Sequence, residues 1–407
     1  MSPNGQAGRR GDRVRSDCWI SFEKTTDGGI NIALKSKVES MYGDSIRATV
    51  REGLAVFGVE HANVTVEDTG ALPFVIAARL EAAVKRALPD IDAEFLPEFK
   101  AHSNYGTTRN RFRRSRLYLP GDQSKLMLNA GLHRPDGVIL DLEDSIAHTE
   151  KDAARYVVRN ALRTVDFFGA ERMVRINQLP AGLGDLEFVV PHNPHVILIP
   201  KVEDPTQVVA VDERVQELRK AHSVEAEIYL MPIVESGLGC WRAYEIAAAS
   251  PNVVALTIGL EDYTADIGTQ RTKEGRESFW ARSQVVNGAR AARVQPIDTV
   301  FADVTDMEGL LASVLEAKAL GFDGKGCIHP RQIAVINRGF APDEQEIEKA
   351  KRIVVAFDEA QAAGYGVVSL GSKMIDPPVV KRALGTVELA VRSGILARDW
   401  REGGDDA

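Results

Sequence analysis

Between Arg116 and Pro330 one pattern recurs eight times: a short apolar run rich in β-branched residues, then a stretch with helical spacing. The first four runs are Leu117-Tyr-Leu, Gly137-Val-Ile-Leu-Asp-Leu-Glu-Asp, Met173-Val-Arg-Ile-Asn and Val196-Ile-Leu-Ile-Pro-Lys. Glu227-Ile-Tyr-Leu-Met-Pro-Ile-Val-Glu, Val253-Val-Ala-Leu-Thr-Ile-Gly-Leu-Glu-Asp, Pro296-Ile-Asp-Thr-Val-Phe-Ala-Asp and Gly324-Lys-Gly-Cys-Ile-His-Pro complete the set. Eight successive βα units predict an α/β fold with a closed (β/α)8 TIM barrel, whereas a doubly wound sheet usually stops sooner.

Ahead of the barrel, residues 14–97 predict a small α+β module. Its strands are Cys18-Trp-Ile-Ser-Phe-Glu, Ile30-Asn-Ile-Ala-Leu and Ala62-Asn-Val-Thr-Val-Glu-Asp, with helices over Ser45–Phe57 and Pro73–Leu88. The residues before Val14 are basic, lack the apolar segment of a signal peptide, and are expected to form a disordered lead-in. Residues 98–113 carry a cluster of arginines without apolar period, which predicts a solvated basic linker, with phosphate binding as an alternative. The barrel is assigned to residues 114–340. Residues 341–400 add a helix, a glycine-rich turn (Ala363-Gly-Tyr-Gly) and a helix over Pro378–Arg392, the pattern of a C-terminal helical lid.

Composition narrows the function. An apolar fraction of 44% and a charged fraction of 27% are those of a soluble globular protein. A net charge of −8 argues against nucleic acid or an anionic membrane as the main partner. No apolar run reaches the ~18 residues of a membrane span. Three scattered cysteines, Cys18, Cys240 and Cys327, suggest neither a disulfide framework nor a zinc knuckle, and fit a reducing cytoplasm. The sequence carries no Walker A loop, zinc motif or nucleophile elbow, and Gly364-Tyr-Gly-Val-Val-Ser lacks the strand and third glycine of a dinucleotide fingerprint.

Carboxylates are strand-averse, yet several barrel strands end in them. Glu235 and Asp262 close consecutive strands and so should face one mouth, at the C-terminal end of the barrel. Two acids without His or Cys make a hard-oxygen site suited to Mg²⁺; the bland alternative is that each caps the helix that follows. Asp141, Glu143 and Asp144 end the second strand, where at least one should bond the waters of the ion, and salt bridges to a neighbouring arginine are the competing role. Arg175 ends the third strand and suits an anionic substrate or charge balance for those acids. Lys201, Lys325 and His329 are further mouth residues. A Schiff-base aldolase could use Lys201, but that chemistry does not need the paired acids.

Arg114-Ser-Arg-Leu-Tyr-Leu-Pro-Gly, Leu140-Asp-Leu-Glu-Asp-Ser, Arg175-Ile-Asn, Glu235-Ser-Gly-Leu-Gly and Gly259-Leu-Glu-Asp-Tyr-Thr-Ala-Asp together resemble the citrate lyase β-chain and malyl-CoA lyase aldolase family. Gly324-Lys-Gly-Cys-Ile-His-Pro and Gly371-Ser-Lys-Met-Ile-Asp-Pro-Pro extend the match to about Arg392. The resemblance implies a Mg²⁺-dependent lyase that cleaves a 3-hydroxy acyl thioester between C2 and C3 and assembles into trimers or hexamers. It makes Glu235 and Asp262 the metal ligands, Arg175 the group that holds substrate or polarises the thioester carbonyl, and Glu143 and Asp144 acids behind the ligands. Asp376 matches the acid that reaches a neighbouring subunit's site and protonates the enolate. Arg116 and Lys125 are assigned to the CoA portion of the thioester.

Tyr42-Gly-Asp-Ser-Ile-Arg, Asp68-Thr-Gly-Ala-Leu-Pro and Ala78-Arg-Leu-Glu-Ala resemble the citrate lyase acyl carrier protein, or γ-chain. That family carries a phosphoribosyl-dephospho-CoA arm on a serine near its N-terminus. In Val14-Arg-Ser-Asp-Cys, aligning the aspartates puts Arg15 at the modified position, and Ser16 is the one hydroxyl directly before Asp17. The resulting expectation is a carrier–lyase fusion that splits a citryl-like thioester into oxaloacetate and an acetyl thioester, with a citrate lyase α-chain transferase as a possible partner. Malyl- or citramalyl-CoA cleavage, with a vestigial carrier module, is the alternative.

Overall fold

The computed structural model describes residues 3–362, 368–370 and 373–401. The N-terminal module is a four-stranded sheet in the order β1-β2-β4-β3, formed by β1 (Asn4–Gly8), β2 (Cys18–Lys24), β3 (Ile30–Ser36) and β4 (Ala62–Asp68). Helices α1 (Glu39–Val56) and α2 (Pro73–Ala87) pack on it. Period-2 burial along β2 and β4 gives the sheet one apolar face. The first residues do not form a loose lead-in: Asn4–Gly8 pairs antiparallel with β2 as an edge strand. A composition of Asn, Gly, Gln and Ala gives such a strand almost no hydrophobic signature, and backbone pairing alone defines it.

The barrel closes as expected. Its strands are β5 (Ser115–Pro120), β6 (Gly137–Asp141), β7 (Glu171–Arg175), β8 (Val196–Ile199), β9 (Tyr229–Val234), β10 (Ala255–Ile258), β11 (Gln295–Asp298) and β12 (Gly324–Cys327). All pair in parallel, and β12 returns to β5. Around them run α3 (Ser124–Leu128), α4 (Lys151–Thr164), α5 (Gly182–Val189), α6 (Pro205–Ala221), α7 (Gly237–Trp241), α8 (Ala243–Ala247), α9 (Leu260–Asp266), α10 (Phe279–Ala291) and α11 (Met307–Leu320); α12 (Arg331–Phe340) follows in the chain. Inward residues, among them Ile139, Met173, Leu198, Met231 and Ile297, fill the barrel below its mouth. A packed floor of this kind leaves the C-terminal rim as the place for chemistry.

Residues 98–113 are exposed over much of their length, but several of their arginines are tied to the barrel. Arg113 is fully buried and grips Glu171 through two bonds of 2.7 and 2.8 Å, Arg109 caps Pro251 and Val253 carbonyls, and Arg111 donates to the Gly169 carbonyl. These partners lie at or near strand starts, so the arginines seal the end of the barrel away from the mouth, and Arg113 has no room left for a phosphate. The polar composition does not reveal these anchors, because they are made to backbone carbonyls and one buried acid, which leave no apolar period.

Residues 334–407 form a second compact unit. It contains α13 (Glu344–Ala362), the two-stranded β13 (Val368–Leu370) and β14 (Lys373–Ile375), and α14 (Pro377–Arg392). Ile353, Val354, Val380 and Val387 belong to its small apolar core. The turn Ala363-Gly-Tyr-Gly lies outside the described residues.

Candidate active site

A cavity of about 460 Å³ opens at the barrel mouth. Strand alternation supplies its walls: Arg116, Tyr118 and Pro120 from β5, Ile233 from β9 with Glu235 just beyond its end, and Thr257 from β10 with Gly259 just beyond its end. Asp141, Asp144, Arg175 and Asp262 complete the polar side.

Glu235 and Asp262 both line this cavity and both touch Lys201, although 27 residues separate them. Glu235 is nearly buried, at 6% exposure. Its Oε1 accepts from the Lys201 backbone N–H at 3.3 Å, and it lies so close over Gly259 that a Cβ there would stand 2.7 Å from Oε2. A side chain at that position would displace the carboxylate, so glycine is required by close approach. Glu235 does not cap the next helix: Ser236 does, accepting from the Gly239 N–H at 3.1 Å. Asp262, in the first turn of α9, can serve both the helix and the cavity. Burial, and then the adjacent Asp262, push the Glu235 carboxyl up to about 8. Two acids held together this way need a cation.

Lys201 supplies one from the end of β8. Its Nζ stands 3.4 Å from Asp262, 3.5 Å from Glu143 and 3.6 Å from Asp144. Although partial burial opposes its charge, Glu143, Asp144, Asp262 and Glu235 together raise its pKa. Lys201 also adopts a left-handed backbone (φ 51°), a conformation costly for a residue with a Cβ and found where the surroundings enforce it.

Arg175 organises the acids of the second strand. It chelates Asp141 through Nε (2.6 Å) and Nη2 (2.8 Å), while Nη1 lies 3.0 Å from Glu143 and 3.6 Å from Asp144. Burial opposes the Asp141 charge, but the Arg175 hydrogen bonds and charge outweigh it and hold that carboxyl below its ordinary value. Glu143 is instead raised, by burial and by its contact with Asp144. The salt-bridge role and the site role therefore coincide: the arginine that balances the acids also lines the cavity.

The other predicted residues scatter. Arg116 lines the cavity floor yet has no exposed surface; Nη1 reaches Met231 Sδ and Thr257 Oγ1, and Nε and Nη2 have no partner among the described residues. Lys125 is exposed on α3. Lys325 is not at the mouth: it points out of the barrel, buried against Asp298 at 2.7 Å, because alternation turns Gly324 and Gly326 inward instead. The His329 ring accepts from the Arg331 N–H at the start of α12 and does not line the cavity. Asp376 caps α14, accepting from the Val379 N–H. Ser16 lies in the module, half-buried, with φ at 56°. Tyr118, stacked under the Arg175 guanidinium at 5.3 Å, was overlooked, although its inward register on β5 follows from the Leu117-Tyr-Leu alternation.

Among the described residues, no three or more His, Cys, Asp or Glu side chains converge as a metal site. Two carboxylates with room for water or substrate nevertheless fit a hard divalent cation that keeps part of its hydration. The Lys201 ammonium beside the acids shows that the pocket favours positive charge.

Known proteins share this arrangement of elements. Residues 114–330 match the family model described as HpcH/HpaI aldolase/citrate lyase, and residues 9–87 match an acyl carrier model described as malonate decarboxylase delta subunit. The citrate lyase subunit beta of Haemophilus influenzae is 40% identical over 288 residues, 70% of this chain and 99% of that protein. The human mitochondrial citramalyl-CoA lyase is 34% identical, over 68% of this chain and 85% of that protein. The crystal structure of CitE from Mycobacterium tuberculosis in complex with magnesium, acetoacetate and coenzyme A is 28% identical, with a TM-score of 0.58 over 70% of this chain and 99% of that one. The chain therefore belongs to the HpcH/HpaI aldolase/citrate lyase family, with an acyl-carrier-like domain fused ahead of its barrel.

Proposed function

We propose that the protein is a Mg²⁺-dependent carbon–carbon lyase that cleaves a citryl-like 3-hydroxy acyl thioester to oxaloacetate and an acetyl thioester. The observation that carries this reading is that Glu235 and Asp262 line one rim of the cavity, around Lys201 and beside Arg175. Glu235 and Asp262 would hold the ion, which supplies positive charge to the hydroxyl and carboxylate oxygens of the substrate. Arg175, fixed by Asp141, places a permanent cation where negative charge develops on the thioester oxygen as C2–C3 breaks. Glu143 and Asp144 fix the position of Arg175 and Lys201. The C3 hydroxyl gives its proton to solvent water at the open mouth, and the C3 fragment leaves as a 2-oxo acid. The electron pair left on C2 takes up a proton, for which Asp376 of a neighbouring copy is the proposed donor, so that one proton is released and one taken up per turnover. That role requires a homotrimer or hexamer. A transferase α-chain would regenerate the citryl thioester, and a reducing cytoplasm suits the three free cysteines.

The test is oxo-acid release from synthetic citryl-, malyl- and citramalyl-CoA, with and without Mg²⁺. Cleavage of citryl thioester at least about tenfold faster than the others is expected, a discrimination of about 1.4 kcal/mol. A second reading, cleavage of free malyl- or citramalyl-CoA with an unmodified module, is favoured by the placement of Arg15 where the carrier family has its modified serine. Intact mass separates the two, since an added prosthetic mass mapping to Ser16 supports the carrier reading and an unmodified native protein supports free CoA esters.

Lys201 gives a further prediction. Its ammonium shares Asp262, Glu143 and Asp144 with any incoming cation. Lys201→Met is expected to bind Mg²⁺ about 3- to 10-fold more tightly by calorimetry, as removal of a charge competing at about 3.5 Å implies for a partly solvated site. Unchanged or weaker binding would show that the amine does not compete.

A further inference from the structure

We propose that the carrier-like module is a fixed part of the lyase that serves the barrel of its own chain and does not shuttle between enzymes. The inference rests on the lyase reading for its purpose, but its structural content stands on three contacts that are independent of the cavity.

The first is a clamp at the barrel mouth. Arg79 on α2 is 1% exposed and grips Asp17 through Nε (3.0 Å) and Nη2 (2.9 Å); the same Nη2 donates to the Asp122 carbonyl at 2.8 Å. Asp122 lies two residues beyond Pro120, which lines the cavity, and the intervening Gly121 is held by the Asp141 carbonyl at 2.8 Å. Two residues further on, Ser124 Oγ donates to the Ser16 carbonyl at 2.6 Å, while the Ser16 N–H is bound to Thr69. The segment carrying Ser16 is therefore anchored on the first βα loop of its own barrel.

The second contact is the α2–α4 interface. Every residue from Phe74 to Val84 is buried, which a helix on the surface of a free carrier domain could not achieve. Glu81 faces Arg159 of α4 through bonds of 3.1 and 2.6 Å, both side chains being completely covered, and Asn160 Nδ2 donates to the Phe74 carbonyl. Exposed, this surface would leave Glu81 with Lys85 at 3.0 Å as its cation and without the bidentate guanidinium that the barrel provides.

The third is the connection itself. A shuttling carrier needs a loose tether, and this one is bound along its length. Phe95 packs edge-on against Phe57 and its N–H donates to Glu81, Arg163 Nε donates to the Pro97 carbonyl, and Lys100 N–H donates to the Arg163 carbonyl. An acyl thioester carried near Ser16 would thus be presented to one mouth only.

Hydrogen–deuterium exchange of the full-length protein tests this directly. Segment 73–87 and segment 151–164 are expected to exchange as one unit, with protection factors within roughly tenfold of each other. Ser124→Ala, which removes the rim contact to Ser16 and leaves the one from Arg79 to Asp122, should raise exchange in segment 9–18 several-fold and leave segment 73–87 unchanged. Module exchange running about 100-fold or more ahead of α4 would overturn the proposal, as would the absence of any effect of Ser124→Ala on segment 9–18. Neither measurement depends on turnover, so a failed lyase assay would refute the proposed reaction and leave this inference standing, and the converse holds too.

Discussion

Replacing Glu235 or Asp262 by alanine is expected to leave a folded barrel with Mg²⁺-dependent oxo-acid release reduced by at least about 10³-fold, or about 4 kcal/mol of lost transition-state stabilisation. Circular dichroism would report the fold and a coupled reductase assay the oxo acid. Retention of more than about a tenth of the activity in both variants would falsify the assigned ion site. Glu235→Gln separates function from stability more sharply. The amide keeps the shape that packs over Gly259 but carries no charge. In the ion-free protein the Glu235 carboxyl, raised to about 8, retains a proton that the unfolded chain loses near 4.5. Stability of the ion-free wild type should therefore fall as pH rises from about 4.5 to about 8. Glu235→Gln should abolish that slope and be more stable at pH 8, by on the order of 1–3 kcal/mol, while being inactive.

The same shift gives the ion its pH dependence. With Glu235 as the proposed ligand, Mg²⁺ has to displace its proton, so the apparent affinity should drop roughly tenfold per pH unit below about 8 and level off above it. Calorimetry in buffers of different ionisation enthalpy should find close to one proton released per ion at about pH 7. Uptake without proton release would show that Glu235 is already ionised and that the acids are not pressed together as the geometry indicates.

The barrel was legible in the sequence because parallel strands buried on both faces give near-continuous apolar runs, and their acidic ends break that rule visibly. Glu235 and Asp262 were recognisable for this reason, and the structure brings them together. Lys325 was misplaced because a four-residue strand offers too little alternation to show which side its lysine takes, and the flanking Gly324 and Gly326 carry no hydropathy signal. The union of module and barrel was invisible for a different reason. Its determinants, Arg79, Glu81 and Arg159, are charged residues that a sequence reading places at the surface, and only tertiary pairing buries them. The arginines before the barrel misled in the same way. In this chain the buried arginine is the recurrent device that periodicity does not reveal.

Arg175, half-buried at the cavity wall, is the arginine with the largest expected consequence. Arg175→Ala removes the partner of Asp141, which is 1% exposed, and the main counter-charge of Glu143. With Arg175 present, Asp141 ionises below its ordinary value, so the pair adds stability at all pH values above about 3.8 and loses it as pH falls through the lowered value. Without Arg175, burial is opposed only by the Glu143 and Ser145 backbone N–H groups, and the Asp141 carboxyl moves up. The variant is therefore expected to lose about 3–5 kcal/mol at pH 7, the cost typical of stripping one partner from a buried pair, and the deficit should shrink on acidification. Activity should fall by about 10³-fold or more if Arg175 faces the thioester oxygen as proposed, since the site loses that cation together with the anchor for its acids. Arg175→Lys divides these contributions. An ammonium restores charge but cannot span both Asp141 oxygens while reaching Glu143. It should recover more than half of the stability and little of the activity, with the loss in kcat rather than KM. If Arg175→Lys instead restores kcat to within about tenfold of wild type, charge alone suffices and the fixed geometry of the guanidinium has no part in the bond cleavage.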